Sequence, residues 1–228
     1  MKTVTTIILA HYKERESNLK RIIDDLLEGT VVPKKVIVFI DTPDITFTDE
    51  RVTTIKSDTP FLPIIRFALG ITCDTDYCFF LDDDLTVQEK TLENFITYAS
   101  IYSRSILGLE GSILGKTETP YSNDIPVKRG NSAKLVDIII RTYFVPTDVL
   151  MAGFRIIHMF PQLPVQSMDD VFLCLGNKYL NDGDNYVIPV DEKTNVVELP
   201  DGGVGQSLHE NHYGNRNMVC RFLMNIYE

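Results

Sequence analysis

The chain is predicted to be an α/β protein: a mainly parallel sheet with helices on both faces, in a single domain. Three observations predict this. Short apolar, β-branched runs alternate with segments whose apolar residues recur at helical spacing. The runs themselves read as strands covered on both sides, as parallel strands are. At 228 residues the chain fits one large domain with a sizeable core.

The first strand is Val4 to Leu9. In HYKERESNLKRIIDDLLEG, residues Leu19, Ile22, Ile23, Leu26 and Leu27 share one helical face and Gly29 is a natural stop. KKVIVFID is a second strand ending at Asp41, and VTTIK a third. FLPIIRFALGI predicts a helix with Pro63 in its first turn. YCFFL is a fourth strand running into Asp82, Asp83 and Asp84. Thr86 and Glu89 have capping-box spacing, and Leu92, Phe95, Ile96 and Ala99 line the helix expected to follow.

The second half is less regular. SILGLEGSIL and KLVDIIIRTYFV each predict one strand, GKTETPYSNDIPVKRGNS a surface loop, and DDVFLCLGNKYL a helix starting near Asp169. ELPDGGVGQSLHENHYGNRN predicts a glycine-containing loop. Residues 1–104 thus form one continuous α/β half and residues 105–228 a second half with a closing tail.

Composition narrows the function. A net charge of -10 argues against a general nucleic-acid binder, which needs a basic footprint. Cys73, Cys78, Cys174 and Cys220 form no C-x-x-C pair and predict reduced thiols in a cytosolic protein. The apolar start is too short for a signal peptide, and no stretch has the length of a membrane span, so a cytoplasmic location without a membrane anchor is expected.

Three adjacent carboxylates at a strand end call for neutralisation. In open parallel sheets, ligands bind beyond the carboxyl ends of the strands. Asp41, the triplet Asp82 to Asp84, and Ala10 with His11 all follow strands there. In extended backbone Asp82 and Asp84 face the same side while Asp83 faces away, and such paired carboxylates suit Mg²⁺ or Mn²⁺ together with phosphate oxygens and water. Asp169 and Asp170 open a late helix, where one carboxylate could cap N–H groups while the other faces a ligand.

On these residues the chain resembles the GT-A glycosyltransferases, whose D-x-D metal motif closes a strand after a nucleotide-binding half of similar length. The likeness runs from ILAHYKERESNLKRIIDDLL through IIRFALGITCDTDYCFFLDDDL to the tail. SLHENHYGNRNMVCRF looks like the end of exostosin-like transferases with one residue more before the cysteine, and MDD at 168–170 resembles the acidic pair of family-2 transferases. The resemblance implies a nucleotide-sugar donor and a glycan or glycoprotein acceptor. It places Ala10, His11 and Tyr12 at the nucleotide base, Asp41 on the base imide (favouring a UDP- or TDP-sugar) and Arg66 at base or ribose. Asp82 and Asp83 would hold ribose or donor sugar, Asp84 would ligate Mn²⁺ or Mg²⁺ with Asp82 nearby, and Arg216 would clamp the diphosphate. His212, or His209 three residues earlier, would bind metal or phosphate. Asp170, with Asp169 beside it, would be the general base of an inverting reaction, whereas the exostosin-like tail implies retention.

Two other readings compete. DDDLT also fits the D-x-D-x-T motif of haloacid-dehalogenase-type phosphatases, with Asp82 as nucleophile and Asp84 as general acid, although that motif normally opens its fold. A non-catalytic sugar-nucleotide-binding module would keep the cleft and lose turnover. In either transferase or module, Gly202, Gly203 and Gly205 would let the segment before His209 move.

Overall fold

The computed structural model describes residues 2–166, 168–205 and 211–227. In chain order the first half comprises β1 (Val4–Ala10), a 3-10 turn (Lys13–Arg15), α1 (Glu16–Glu28), β2 (Lys35–Ile40), β3 (Thr53–Lys56), α2 (Ile65–Ile71), β4 (Tyr77–Asp82), β5 (Leu85–Val87) and α3 (Thr91–Ile101). The second half adds β6 (Ile106–Gly108), β7 (Glu110–Ile113), β8 (Ile125–Lys128), β9 (Lys134–Val136), β10 (Ile138–Ile140) and β11 (Tyr143–Pro146). After these come α4 (Met151–Met159), α5 (Asp169–Leu180), β12 (Asn185–Val187), β13 (Val196–Glu198) and α6 (His212–Tyr227).

One large sheet joins the two halves in the order β3-β2-β1-β4-β11-β6-β12-β9. Strands β3, β2, β1 and β4 are mutually parallel. β11 runs antiparallel between β4 and β6, so β6 regains the direction of β4; β12 follows β6, and β9 closes the edge antiparallel. The sheet is therefore mostly parallel. Two smaller units, β10-β7-β8 and β13-β5, flank it.

Side-chain alternation along the strands feeds two apolar layers. On β1, Val4 and Ile8 point into the layer covered by α1 and α3, with Leu19, Ile22, Ile23, Leu26, Leu92 and Phe95. Ile7 points into the opposite layer, which also holds Phe67 of α2, Ile156 of α4, Phe172 of α5 and Leu223 of α6. β4 repeats the pattern, with Phe79 and Leu81 on one face and Cys78 and Phe80 on the other. Helices thus cover both faces, as the apolar runs predict. α5 is the innermost helix, buried from Asp169 through Asn177. It approaches α4 so closely that a Cβ on Gly176 would lie 2.8 Å from the Ala152 carbonyl.

Several expected boundaries move. α2 begins only at Ile65, because Pro63 stands in the turn before it. Thr86 does not start a helix; it is buried in β5 and its hydroxyl donates to Asp25 (2.7 Å), while α3 opens at Thr91, whose Oγ1 accepts the Gln88 N–H. SILGLEGSIL splits into β6 and β7. KLVDIIIRTYFV is three strands, broken at Asp137, which accepts from the Leu114 N–H and from Lys178, and at Arg141, whose φ of 70° turns the chain. The polar stretch from Gly115 contains β8, paired with β7. The tail expected to be loop becomes α6 from His212 onward, because Arg216, Val219, Cys220 and Leu223 form a buried face at helical spacing. α4, β12 and β13 carried no expectation. All four cysteines are free. Among the described residues no helix is long and apolar enough to cross a membrane.

Candidate functional site

The order β3-β2-β1-β4 sets a switch point between β1 and β4: the β1–α1–β2 connection moves one way from β1, and β4 lies on its other side. The crevice beyond the carboxyl ends at such a point is where open α/β sheets bind ligands. Here it is a cleft of about 650 Å³. Segments far apart in sequence line it: His11, Tyr12 and Arg15 after β1, Asp41 after β2, Arg66 on α2, Asp82 to Asp84 after β4, and Arg141 before β11. Asp169 and Asp170 of α5, Tyr121, and His212, Tyr213 and Arg216 of α6 complete the wall.

The acidic triplet is matched by arginines. Arg66 donates through Nη1 to Asp82 (2.7 Å) and through Nε and Nη2 to Asp169 (3.0 and 2.6 Å). Arg15 donates to Asp83 (2.8 Å) and lies 3.2 Å from Asp84. Arg141 donates to the other Asp84 oxygen (3.3 Å) and to Glu198 (3.0 Å). Guanidinium groups therefore lie against all three adjacent carboxylates at the strand end. Burial still pushes the Asp82 carboxyl up from the ordinary carboxylate range, against the pull of Arg66. It pushes Asp83 up to about 6, opposed by Arg15.

Asp83 does not face away. It accepts the backbone N–H of His11 (3.3 Å) as well as Arg15, which ties the β1 and β4 loops together. Asp41 is fully buried; its oxygens accept the His11 Nδ1–H (2.7 Å) and the Phe61 N–H (3.2 Å). Asp41 thus lines the cleft with its oxygens already engaged by these two donors. The hydrogen bond to Asp41 raises the His11 pKa above its usual value, outweighing burial. Ala10 is buried; its carbonyl accepts the Asp41 N–H (3.3 Å), holding the two strand ends in line.

Arg216 is 4% exposed, a depth that its polar neighbours in sequence do not suggest. Its two terminal nitrogens grip both oxygens of Asp170 (2.9 and 2.5 Å), and its guanidinium lies 4.1 Å from the Tyr121 ring centre. Asp170 also accepts the Val171 N–H at the start of α5, so it combines the helix-start and ion-pair roles. Asp169 and Asp170 are each bound by an arginine, and neither is presented as an unengaged base. His212 lines the cleft beside Tyr213, and His209 lies outside the described residues.

Arg15, Asn18 and Arg141 are site residues that sequence reasoning missed. Arg15 carries a legible signal: with Leu19, Ile22 and Leu26 it keeps the spacing of the buried helix stripe, so a charge in phase with an apolar face marks a buried partner. Asn18, also on the inner side, donates to the Asp83 and Pro200 carbonyls (3.0 and 2.9 Å). Arg141 interrupts an apolar run, a weaker signal. Arg15 also donates to the carbonyls of Asp201 (2.9 Å) and Val204 (2.6 Å), which pins the segment after β13 against the triplet. Gly202 and Gly203 there have φ of 67° and 72°, so the turn needs glycine.

Among the described residues no group of three histidine, cysteine, aspartate or glutamate side chains is placed to hold a metal ion. The donor chemistry nonetheless fits a hard cation that brings its own ligands. Asp82 keeps 27% of its side chain exposed in the cleft and Asp84 lies beside it. Mg²⁺ commonly uses one or two carboxylates plus phosphate and water. Compared with protein-family models and with curated proteins, the chain matches none, so its function is read from its own residues.

Proposed function

We propose that this chain is a divalent-cation-dependent glycosyltransferase of GT-A type, moving a sugar from a nucleoside-diphosphate donor, with UDP- or TDP-sugars favoured, to a hydroxyl of a glycan or glycoprotein. One observation carries the reading: the acidic triplet, the β1 loop, Arg66, the Asp169–Asp170 pair and the α6 start, scattered from residue 11 to 216, all line one cleft at the switch point of a mostly parallel sheet.

Asp82 and Asp84 would hold Mn²⁺ or Mg²⁺, which when bound offsets the charge building on the departing diphosphate. His11, Tyr12 and Phe61 form the wall nearest Asp41 and would take the base, with the imidazole rather than Asp41 making the polar contact. Arg66 holds Asp82 and Asp169 at a fixed separation, so that a donor sugar between them meets a rigid pair of acceptors. Asp170, held in place by Arg216, would accept a proton from an acceptor hydroxyl through a lone pair that the guanidinium leaves open.

A second reading has its own support. Both α5 carboxylates are engaged by arginines, which suits a sugar-nucleotide-binding module without turnover. The phosphatase reading gains nothing, since both Asp84 oxygens already lie against guanidinium groups.

Calorimetry with UDP, GDP, TDP and CDP, each with and without Mn²⁺, on wild type and Asp84→Asn tests the donor half. Tight binding of one diphosphate that needs both metal and Asp84 is expected. Binding of none of the four would overturn the proposal. Slow metal-dependent hydrolysis of the matching nucleotide-sugar, lost in Asp170→Asn with binding kept, separates transferase from module.

A further inference from the structure

We infer that Arg141, not Arg216, is the resident phosphate-binding cation of this cleft; the inference rests on the nucleotide-sugar reading above for its ligand class, a diphosphate. Four arginines line the cleft. Three of them have side chains almost sealed from solvent, at 8% for Arg15 and Arg66 and 5% for Arg216. Each of those three neutralises a buried carboxylate: Asp83, Asp169 and Asp170 respectively. Turning any of them toward a ligand would strand a buried charge.

Arg141 is differently placed. Its side chain is 31% exposed. One partner, Glu198, is 64% exposed and returns readily to water if released. The other contact, to Asp84, is 3.3 Å, longer than a strong charge-assisted hydrogen bond. Redirecting this guanidinium to a phosphate therefore leaves no buried carboxylate without a partner, because Asp84 keeps Arg15.

The backbone points the same way. Arg141 has φ of 70°, a left-handed conformation that a residue with a Cβ adopts at a cost and that glycine adopts freely. Its N–H donates to the Tyr143 hydroxyl (3.2 Å), which helps hold the turn. That turn leads into β11, the antiparallel strand beside β4, and so sets the guanidinium over the carboxyl end of β4 next to the triplet. A strained position that carries an accessible cation into a cleft is better served by glycine for folding and by arginine for binding.

The test compares wild type with Arg141→Gln, Arg141→Lys and Arg141→Gly by calorimetry against three probes: the nucleoside diphosphate that binds best of UDP, GDP, TDP and CDP, its nucleoside, and inorganic pyrophosphate. Arg141→Gln is expected to weaken diphosphate and pyrophosphate binding about ten- to a hundredfold, the range for a lost hydrogen bond to a charged group, while nucleoside binding stays the same. Arg141→Lys keeps the charge without the planar fork and should fall between. Arg141→Gly should lose the same affinity yet melt at or above the wild-type temperature, since it relieves the turn, Glu198 is exposed and Asp84 keeps Arg15. Unchanged diphosphate and pyrophosphate affinity in Arg141→Gln overturns the inference, as does an equal loss for the nucleoside. If wild type binds pyrophosphate through Arg141 but no nucleoside diphosphate, the proposed function fails and this assignment stands; if it binds neither, both fall.

Discussion

Replacing Arg15 with methionine removes the guanidinium that joins three parts of the cleft. Methionine has a similar volume and the same unbranched stem, so packing is largely kept and the electrostatic loss dominates. Lost are the bond to Asp83 (2.8 Å), the contact with Asp84 (3.2 Å) and the bonds to the Asp201 and Val204 carbonyls. Asp83, with 5% of its side chain exposed, is left buried with only the His11 N–H. Breaking a buried pair by removing one partner destabilises by about 3–5 kcal/mol. For a chain of this size, that corresponds to a fall of roughly 6–20 °C in melting temperature. The penalty comes from an ionised Asp83, so it should shrink at pH 4, well below the folded-state pKa of about 6, where the buried carboxyl is protonated. Thermal melts followed by circular dichroism at pH 7.5 and pH 4 therefore separate the electrostatic cause from a packing defect. The difference from wild type should be large at pH 7.5 and clearly smaller at pH 4, and adding Asp83→Asn to the variant should restore most of the loss. A drop of under about 3 °C at pH 7.5, or the same drop at both pH values, would refute the assignment of Arg15 as the neutralising group.

Asp83 should also leave its mark on the wild-type protein. Burial lifts its folded pKa to about 6, above the ordinary 3.8, so the native state holds a proton that the unfolded chain releases. By linkage this contribution favours folding at low pH and declines as pH rises from about 4 through 6; denaturant titrations across that range should show a decline that Asp83→Asn flattens. His11 has the opposite charge type. Its pKa is raised by the hydrogen bond to Asp41, so its stabilisation is fully present below pH 6.5 and is lost as pH rises through the folded value. An NMR titration should place His11 above 6.5 in wild type, and Asp41→Asn should bring it down; no change in that variant would separate the pair. Gly176→Ala should destabilise by about 1–3 kcal/mol, because the new Cβ would meet the Ala152 backbone at 2.8 Å and α4 cannot yield as a side chain does. Urea unfolding of that variant with wild-type stability would contradict the close α4–α5 approach.

Much of the first half is legible because its signals are local. Val4 to Leu9, the stripe Leu19–Ile22–Ile23–Leu26, and the run ending at Asp82 each state their own period, and the structure places them as read. The second half resists the same reading. KLVDIIIRTYFV has no turn signature of glycine or proline, yet it serves three strands, because Asp137 and Arg141 find partners on α5, β7, β11 and β13 that no short window contains. The polar tail likewise becomes helical because Arg216 is buried against a carboxylate from another helix.

By itself the sequence determined the alternation of strands and helices, the two-sided burial of the central strands, and the loops at whose ends the polar residues cluster. These follow from hydrophobic periodicity, which is written in near neighbours. Only the tertiary structure decided who neutralises whom. Arg15 and Asp83 are 68 positions apart, Arg66 and Asp169 are 103, and Arg216 and Asp170 are 46. Such pairings depend on strand order and helix packing, and buried charges accept only the partner the fold brings within a few ångströms. That is why the acidic triplet could be recognised from sequence as needing positive charge, while which arginine meets which aspartate could not.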